Sequence, residues 1–328
     1  VIFKILGENK KAISCYEKVI EINPNYLKAH NELGKIFYEL EEYKKAKRCC
    51  EKIIEINPND IEAHNNLGTI FYYLEEYKKA IECCGKVLEI NPNNQQSINL
   101  LSVVLSQFRF NYKFLDDTSK LKNLFIFLFK KNNIKHSNIS VNVKPLLLTN
   151  CEQNQLLEAI NSQALLENEV SQNLIKEELF HLMLQKAIIP DEFLEKLLTQ
   201  LRYELLSNLS NSNKYNLNEH LIFIISLAEQ CWLNEYIYIQ SEKENSLINK
   251  LKDKIEKNKK INELEVSILS CYIKLNSSKN ITEKLLVHKS KNILFNNLIT
   301  TQIQEPIREK KLAKSITSFD VINNIISK

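Results

Sequence analysis

The chain has 328 residues, of which 44% are hydrophobic and 26% charged, and its formal net charge is +4. With only 4 Gly and 6 Pro, an all-α fold is favoured over a turn-rich β fold. Positive and negative side chains are interleaved, so the charge gives no electrostatic footprint for nucleic-acid binding.

The first 26 residues read as the remnant of a helical unit, with a helix predicted from Lys10 to Ile22. The chain starts at Val1 without an initiator Met and part-way through this unit, so we expect it to lack its natural N-terminus. A signal peptide on the parent protein therefore stays open.

The next stretch repeats itself at an interval of 34 residues. Leu33-Gly34 returns as Leu67-Gly68, and Tyr43-Lys44-Lys45-Ala46 returns as Tyr77-Lys78-Lys79-Ala80. The same interval separates three prolines and three alanines: Pro24, Pro58, Pro92, Ala12, Ala46 and Ala80. We predict full units at 27–60 and 61–94 and a half unit at 95–110. This pattern resembles the tetratricopeptide repeat, with Leu-Gly early in the unit, Ala in the middle and Pro near the end. The resemblance implies two antiparallel helices per unit.

The repeated 34-residue spacing also has a direct physical meaning. Gly34 and Gly68 lie inside amphipathic runs, where Gly costs about 0.5–1 kcal/mol relative to Ala, so a packing requirement is indicated. Ala46 and its equivalents would be the small partners on the second helix of each unit. The Asn-Pro step ends that helix, because the residue before Pro is pushed out of the α region.

The concave face of the repeats is the predicted binding site. By the register of the resembled family, the groove-facing set, taken from the first helix of each unit, is Lys28, Asn31, Glu32, Lys35, Tyr38, Glu39, Glu62, Asn65, Asn66, Thr69, Tyr72 and Tyr73. Asn side chains offer a donor and an acceptor to a peptide backbone, and Tyr supplies rigid contact area. A protein or peptide partner is therefore predicted, with a solvated groove that holds no ligand as the alternative. Lys35 and Thr69 stand where a clamp for a chaperone's C-terminal carboxylate would need Asn.

From residue 111 to residue 328 the helical pattern continues without the repeat, and we predict a second, irregular all-helical domain that covers the last apolar face of the array. A break is predicted at 109–111 and a loop at 211–213. Helices are predicted at 117–131, 151–166, 171–187, 191–208, 217–239, 245–258, 261–275, 290–304 and 318–327. Residues 86–328 contain no Gly, so we expect no phosphate-cradling loop there.

This second region resembles the helical middle section of bacterial proteins in which tetratricopeptide units precede a class I S-adenosylmethionine-dependent methyltransferase domain. The resemblance is carried by the stretches around Pro145, 189–202, Cys231 to Tyr236 and Gln304 to Glu309. It implies that a catalytic domain and its S-adenosylmethionine would follow Lys328, and that this chain itself holds no cofactor. An attached glycosyltransferase, a catalytic role for 112–328 and a structural assembly subunit stay open as alternatives.

Other reactive side chains favour structural roles. His30 and His64 lie one repeat apart, too far to share a metal ion, and His181 has no nucleophile at a recognisable spacing. The adjacent pairs Cys49-Cys50 and Cys83-Cys84 lack the two-residue gap of zinc sites and are interpreted as buried hydrophobes.

The aromatic cluster Trp232, Glu235, Tyr236 and Tyr238 is interpreted as core rather than as a site. We predict no catalytic residue and no metal in this chain.

The protein is predicted to be cytoplasmic and to have no membrane-spanning helix. The 8 Cys are too few for a disulfide framework in a chain of this length. The longest apolar stretch, residues 121–129, falls far short of the roughly 20 residues that cross a bilayer.

Overall fold

The computed structural model describes residues 8–107, 118–210 and 215–314. Within these ranges the chain forms helices and turns and contains no strand, so the all-α prediction is confirmed. The chain divides into two compact units, residues 1–135 and 136–328, which are described separately below. The predicted domain boundary, at 110, lies upstream of this division.

The first unit is a series of antiparallel helix pairs. Its described helices are α1 (Asn9–Ile22), α2 (Leu27–Glu39), α3 (Tyr43–Ile56), α4 (Ile61–Tyr73), α5 (Tyr77–Ile90), α6 (Gln95–Gln107) and α7 (Thr118–Phe129). Helices α2 with α3 and α4 with α5 form the two full predicted units, and α6 is the predicted half unit as far as residue 107. Leu124 of α7 approaches Gly85, and Lys131 donates to the carbonyl of Pro92 at 3.2 Å. Residues after 111 therefore contact the last repeat, but these residues belong to the first unit. That the predicted second domain covers the array stays a prediction.

The second helix of each repeat ends as the Asn-Pro step requires. Asn23, Asn57 and Asn91 each follow the last helical residue and have extended backbones, with φ of −137°, −131° and −135°. Pro then follows, and it disfavours the α region for the residue before it. The same termination in three copies keeps the helix pairs equal in length.

The turn between the two helices of each unit uses a glutamate in the left-handed region. Glu41 and Glu75 both have φ of 58°. The next amide closes the turn: that of Glu42 donates to Phe37 O, and that of Glu76 to Phe71 O, both at 2.8 Å. This is a Schellman motif in which a non-Gly residue occupies the position usually taken by Gly.

Close packing explains the two repeat glycines. A Cβ on Gly34 would lie 3.2 Å from the Cβ of Cys49, and a Cβ on Gly68 would lie 3.2 Å from the Cβ of Cys83. The predicted partner, Ala46, contributes its backbone oxygen at 3.9 Å from the Gly34 Cβ position rather than the nearest side chain. The packing requirement was predicted, but the principal partner is the cysteine, one turn further along the helix.

The second unit is an irregular assembly of shorter helices. They are α8 (His136–Ser140), α9 (Lys144–Leu147), α10 (Asn150–Ser162), α11 (Glu169–Lys176), α12 (Glu178–Lys186), α13 (Glu192–Ser210), α14 (Leu221–Leu233), α15 (Glu242–Lys257), α16 (Glu263–Leu269), α17 (Lys279–Val287) and α18 (Ile293–Ile299). Short 3-10 turns lie at Leu217–His220 and Leu275–Ser277, and a π turn at Thr300–Gln304 follows α18. Helix α14 is at the centre, with α12, α16 and α18 packed against it.

Three predicted helices are shorter than expected. The segment 171–187 is two helices, because Glu177 between them is extended with ψ of 119°. The segment 217–239 ends as a helix at Leu233, because Glu235 and Tyr236 adopt φ of 52° and 61°. The segment 261–275 is helical only over Glu263–Leu269. Helix α17, the short helices α8 and α9, and the helical residues 305–314 that follow the π turn were not predicted.

Some predictions lie outside the described residues. They are the helix at 318–327, the break at 109–111, the loop at 211–213 and the last three residues of the half unit at 95–110.

Candidate functional site

The first unit contains a cavity of about 290 Å³ lined by the first helices of successive repeats. Its polar wall is formed by Asn31, Lys35, Tyr38, Asn66, Thr69 and Gln96, and Gly34, Cys50 and Ile70 also line it. His30 and Glu39 complete the lining. Six of the residues predicted for the groove are therefore brought together on α2 and α4: Asn31, Lys35, Tyr38, Glu39, Asn66 and Thr69.

An ion pair joins two adjacent repeats beside this cavity. Lys35 Nζ lies 2.9 Å from Glu62 Oε1, and Asn31 Nδ2 donates to the same oxygen at 3.3 Å. The hydrogen bond to Glu62 raises the pKa of Lys35, and the hydrogen bond from Lys35 lowers the pKa of Glu62. The lysine charge is thus balanced within the wall, so the cavity does not offer it unpaired to a carboxylate ligand.

Asn65 does not belong to the groove, and its prediction as a groove residue is wrong. Its side chain is buried, because it accepts a hydrogen bond from Ser97 Oγ and its amide donates to Asn94 Oδ1 at 3.4 Å. Asn94 also caps α6 by accepting from the amide of Ser97 at 2.9 Å. Asn65 therefore ties α4 to the start of α6. Sequence register placed it beside Asn66 on one face, whereas adjacent helical residues point about 100° apart.

Two amides remain available in the cavity wall. The side chains of Asn66 and Gln96 form no hydrogen bond within the part of the chain that the structure describes, and both line the cavity. Thr69, one turn after Asn65, donates its hydroxyl to the Asn65 carbonyl at 3.0 Å. The cavity thus presents amide donors and acceptors from two successive repeats, which is the chemistry that a peptide backbone can satisfy.

A cluster of tyrosines adjoins this wall at the turn end of the helices. The rings of Tyr43 and Tyr73 are stacked, with centroids 5.1 Å apart and planes within 2°. Tyr38 contacts both rings edge-on, at 5.8 Å and 5.9 Å. Tyr72 contacts Tyr73 at 5.5 Å and donates its hydroxyl to Gln107 Oε1 at 2.9 Å. Burial and the neighbouring Tyr73 raise the pKa of Tyr38 to about 12, so the Tyr38 phenol stays neutral at physiological pH.

The remaining predicted groove residues have separate places. Tyr72 and Tyr73 are in the tyrosine cluster, Glu62 is held by Lys35, and Lys28 is exposed on α2 and does not line the cavity. Gln96 was not predicted, although it lies 34 residues after Glu62 and 68 after Lys28. Extending the same register into the half unit would have identified it.

The histidines and cysteines of the repeats serve as structural side chains. His30 Nε2 is 2.8 Å from Pro24 O, and His64 Nε2 is 2.9 Å from Pro58 O, so each bonds the turn that precedes its helix. Burial raises the pKa of the Cys49 thiol to about 11 and that of Cys50 to about 12. These thiols therefore remain protonated and are poor nucleophiles or metal ligands at neutral pH.

In the second unit the predicted aromatic cluster is divided between core and surface. Tyr238 is buried and its hydroxyl accepts from Asn234 at 3.1 Å, whereas Glu235 is exposed. Tyr236 donates to Gln302 at 3.4 Å, and its ring meets Trp232 edge-on at 6.5 Å. His181, on α12, bonds the carbonyl of Ile175 at 2.6 Å, and burial lowers its pKa.

Some residues of the second unit, which contains no Gly, adopt left-handed backbone conformations. Gln163, Glu235 and Tyr236 all have positive φ, between 52° and 61°. The absence of Gly therefore does not prevent tight turns there, contrary to the reasoning from composition. These residues close helix C-termini and do not build a phosphate-binding loop: the amide of Tyr236 donates to Cys231 O at 2.9 Å, and that of Ala164, after Gln163, to Ala159 O at 2.9 Å.

Comparison with known families identifies the repeats. Residues 27–60 and 61–94 match the family model described as tetratricopeptide repeat, and residues 2–41 match a related model described as TPR repeat. The helix pairs α2 with α3 and α4 with α5 are therefore tetratricopeptide repeats, an architecture whose stacked helices form extended concave binding surfaces for other proteins.

Other comparisons add little. No curated protein matches this chain. A solved structure described as the crystal structure of MamA is similar to it at 17% identity over 56% of this chain and 91% of that one, with a TM-score of 0.32. That likeness is too low to support an inference. No helix within the described residues is long and apolar enough to cross a membrane.

Proposed function

We propose that the first unit binds an extended peptide segment of a partner protein in the cavity between the first helices of its repeats. The observation that carries the proposal is the pair of uncommitted amides, Asn66 and Gln96, on the wall of a cavity of about 290 Å³. A peptide backbone alternates donors and acceptors, and each carboxamide provides both. Two such groups on successive repeats would hold the backbone at two points.

The rest of the wall supports binding by contact and hydrogen bonding rather than by charge. Lys35 is balanced by Glu62 at 2.9 Å, so it contributes its aliphatic stem and a neutral rim. Tyr38 adds a ring of low conformational entropy next to the amides. Repeat sequences that clamp a C-terminal carboxylate need unpaired cations, and none is offered by the lining residue Lys35. The expected ligand is therefore an internal segment of a chain.

A peptide-display selection tests this proposal. A random library would be selected on the wild-type chain, and the enriched peptides measured against Asn66→Ala and Gln96→Ala. We expect each variant to weaken binding about 3- to 30-fold, since one lost hydrogen bond with an unsatisfied partner costs about 1–2 kcal/mol. Asn59→Ala and Gln155→Ala are the matched controls, because these exposed residues lie away from the cavity lining. Enrichment of peptides that both cavity variants bind as well as wild type would refute the proposal.

In that experiment, substitution of Asn65 tests stability rather than peptide binding. Because its side chain is buried and bonded to Ser97, Asn65→Ala should lower stability and alter the α4 to α6 contact. Loss of peptide binding in Asn65→Ala without loss of stability would return this residue to the groove.

We further propose that the peptide-binding unit serves as the recruiting region of an S-adenosylmethionine-dependent methyltransferase. Support comes from the resemblance of Cys231 to Tyr236 and Gln304 to Glu309 to the section that precedes such domains. Labelled S-adenosylmethionine should bind the gene product extended beyond Lys328 and not this chain. Binding of a nucleotide sugar instead would indicate a glycosyltransferase, and a defined oligomer in light scattering, with neither ligand bound, would favour an assembly subunit.

A further inference from the structure

The tyrosine cluster has an exposed side next to the proposed peptide groove. We define the tyrosine edge as the rings of Tyr38, Tyr43 and Tyr73. Tyr73 is 50% exposed although it stacks on Tyr43 at 5.1 Å, so part of its ring faces solvent. Tyr38 belongs both to this edge and to the cavity lining. A peptide in the cavity would therefore pass beside the exposed ring.

Two exposed carboxylates lie on the turns at the same end of the helices. Glu41 and Glu75 stand in equivalent left-handed positions, and within the described residues neither has an ion pair. Their neighbours differ, because Glu42 pairs with Lys45 at 2.5 Å and Glu76 pairs with Lys79. Glu41 precedes Tyr43 by two residues and Glu75 follows Tyr73 by two residues, so both carboxylates lie on the turns next to the stacked rings. Consistent with this, burial, the charge of Glu41 and Tyr73 raise the pKa of Tyr43.

Two lysines of these turns, Lys45 and Lys79, are directed elsewhere. Lys45 Nζ lies 5.2 Å from the Phe37 ring centre, and Lys79 Nζ lies 5.4 Å from that of Phe71. Both therefore already stack on phenylalanine as well as pairing with a glutamate. Tyr73 has no such cation in the part of the chain that the structure describes.

The second unit shows what this combination of groups can hold. Arg202 is 1% exposed, and its guanidinium carbon lies 4.3 Å from the ring centre of Tyr272 and 5.4 Å from that of Tyr238. The carboxylate of Glu244 is 3.7 Å from the same guanidinium. Two tyrosine rings and one glutamate thus accommodate an arginine within this protein. The tyrosine edge with Glu41 and Glu75 presents the same chemical groups on the surface.

We propose that the tyrosine edge binds an arginine side chain of the partner peptide, with the guanidinium on the open face of Tyr73 and its charge balanced by Glu41 and Glu75. This inference rests on the proposed peptide groove and specifies its ligand as an arginine-containing segment. Arginine fits better than lysine, because its planar guanidinium stacks on aromatic faces and is more weakly hydrated than an ammonium. A neutral aromatic or proline side chain could stack on the ring but would leave both carboxylates unbalanced.

Fluorescence anisotropy with defined peptides tests the proposal. The probe is a fluorescein-labelled dodecapeptide of repeated Arg-Gly-Ser, compared with the same peptide carrying lysine or citrulline in place of arginine. We expect the arginine peptide to bind the whole chain at least threefold tighter than the lysine peptide, and the citrulline peptide to bind most weakly. Tyr73→Leu should reduce arginine binding about 3- to 10-fold, whereas Tyr73→Phe should retain it because the ring is kept. The double substitution Glu41→Gln with Glu75→Gln should remove the preference for arginine over citrulline.

The controls separate this inference from the groove itself. Exchanging Glu17 and Glu21, two exposed glutamates of α1, together for Gln provides a charge-matched control that should leave binding unchanged. Circular dichroism checks that Tyr73→Leu remains folded. Equal affinity for the arginine and lysine peptides, or unchanged binding by Tyr73→Leu, would overturn the arginine site. If library peptides depend on Asn66 and Gln96 but are not enriched in arginine, the groove stands and the arginine site fails.

Discussion

The two units are held together in different ways. In the repeats the same contacts recur: a histidine bonds the carbonyl of a turn proline at 2.8 Å and 2.9 Å, and a left-handed glutamate closes each hairpin. In the second unit, the side-chain contacts that hold the helices in place have no repeated copies. Lys284 donates to three carbonyls at the end of α15, at 3.0, 2.6 and 2.7 Å, and Glu204 accepts from the amides of Leu165 and Leu166 at 3.2 Å and 3.0 Å.

This difference predicts how each unit responds to substitution. The stability of a repeat array is approximately a sum of the stabilities of its units and of the interfaces between neighbouring units. When one contact is changed, its copies in the other units still stabilise the array. In the second unit a single long-range side chain fixes a helix that has no equivalent. The largest losses should therefore follow substitutions in the second unit, and the smallest should follow changes to repeated turn residues.

The largest effect is expected at Arg202. Its guanidinium is buried between two tyrosine rings and donates to Ile239 O at 2.8 Å, while Glu244 lies 3.7 Å away. Arg202→Ala should lower the free energy of unfolding by about 3–5 kcal/mol, because it leaves a buried carboxylate without its cation. Hydrogen exchange resolved by peptide should locate the loss in the second unit.

Arg48→Ala is the control for that experiment. Arg48 is exposed on α3, so its removal should change stability by less than about 0.5 kcal/mol. Equal losses for the two arginine variants would mean that burial of Arg202 contributes nothing, and would remove the proposed contrast between the units.

A pH-dependent loss of somewhat smaller size is expected at Glu229. Burial raises its pKa to about 7 from an ordinary value of 4.5, and Lys186 opposes this only in part. The native state therefore holds the proton more tightly than the unfolded state. This contribution is present below about pH 4.5 and is lost as pH rises to about 7.

Glu229→Gln removes this dependence. Relative to wild type, the variant should gain stability as pH rises across the interval, by up to about 3 kcal/mol at pH 8, since one pKa unit corresponds to 1.36 kcal/mol. Denaturant melts of both proteins at pH 5 and pH 8 measure the difference. A constant difference between the two proteins at both pH values would contradict the raised pKa.

Substituting Ala for the glycines of the repeats should change stability by intermediate amounts, with stabilisation at one position and destabilisation at another. Gly85 has no neighbour closer than 4.0 Å to a Cβ, so Gly85→Ala should stabilise by about 0.5–1 kcal/mol. Gly68 faces Cys83 Cβ at 3.2 Å and Leu100 Cδ2 at 3.3 Å, so Gly68→Ala should destabilise by about 1 kcal/mol or more. Gly34, with one close neighbour, should fall between them.

A second substitution identifies the atom responsible. Because the contact is with the Cβ of Cys83, Gly68→Ala should not be rescued by Cys83→Ala, which keeps that atom. Thermal melts of the series check this order. Rescue by Cys83→Ala would show that the sulfur, not the close backbone approach, decides the requirement for Gly.

The sequence predicts the repeats far better than the second unit, for a physical reason. The 34-residue period, the Asn-Pro steps and the glycines are local signals repeated in register. The first helix was therefore predicted to within one residue, and the predicted units 27–60 and 61–94 each contain one helix pair, α2 with α3 and α4 with α5. In the second unit Glu177, Glu235 and Tyr236 change the direction of the chain without Gly or Pro, and long-range contacts compensate. Within the candidate site, register identified Asn66 and Lys35, but it could not show that Asn65 is buried against Ser97.

The smallest stability effect is expected at the repeated turn, where it also separates stability from binding. Glu41 has φ of 58°, which costs a non-Gly residue strain that Gly avoids, so Glu41→Gly should stabilise by about 0.5–1 kcal/mol. Glu82→Gly, in the middle of α5, should instead destabilise by about 1 kcal/mol. Since Glu41→Gly also removes a carboxylate from the tyrosine edge, it should raise the melting temperature while it weakens binding of the arginine peptide. A variant that gains stability and keeps full arginine affinity would show that the turn glutamate serves only the backbone.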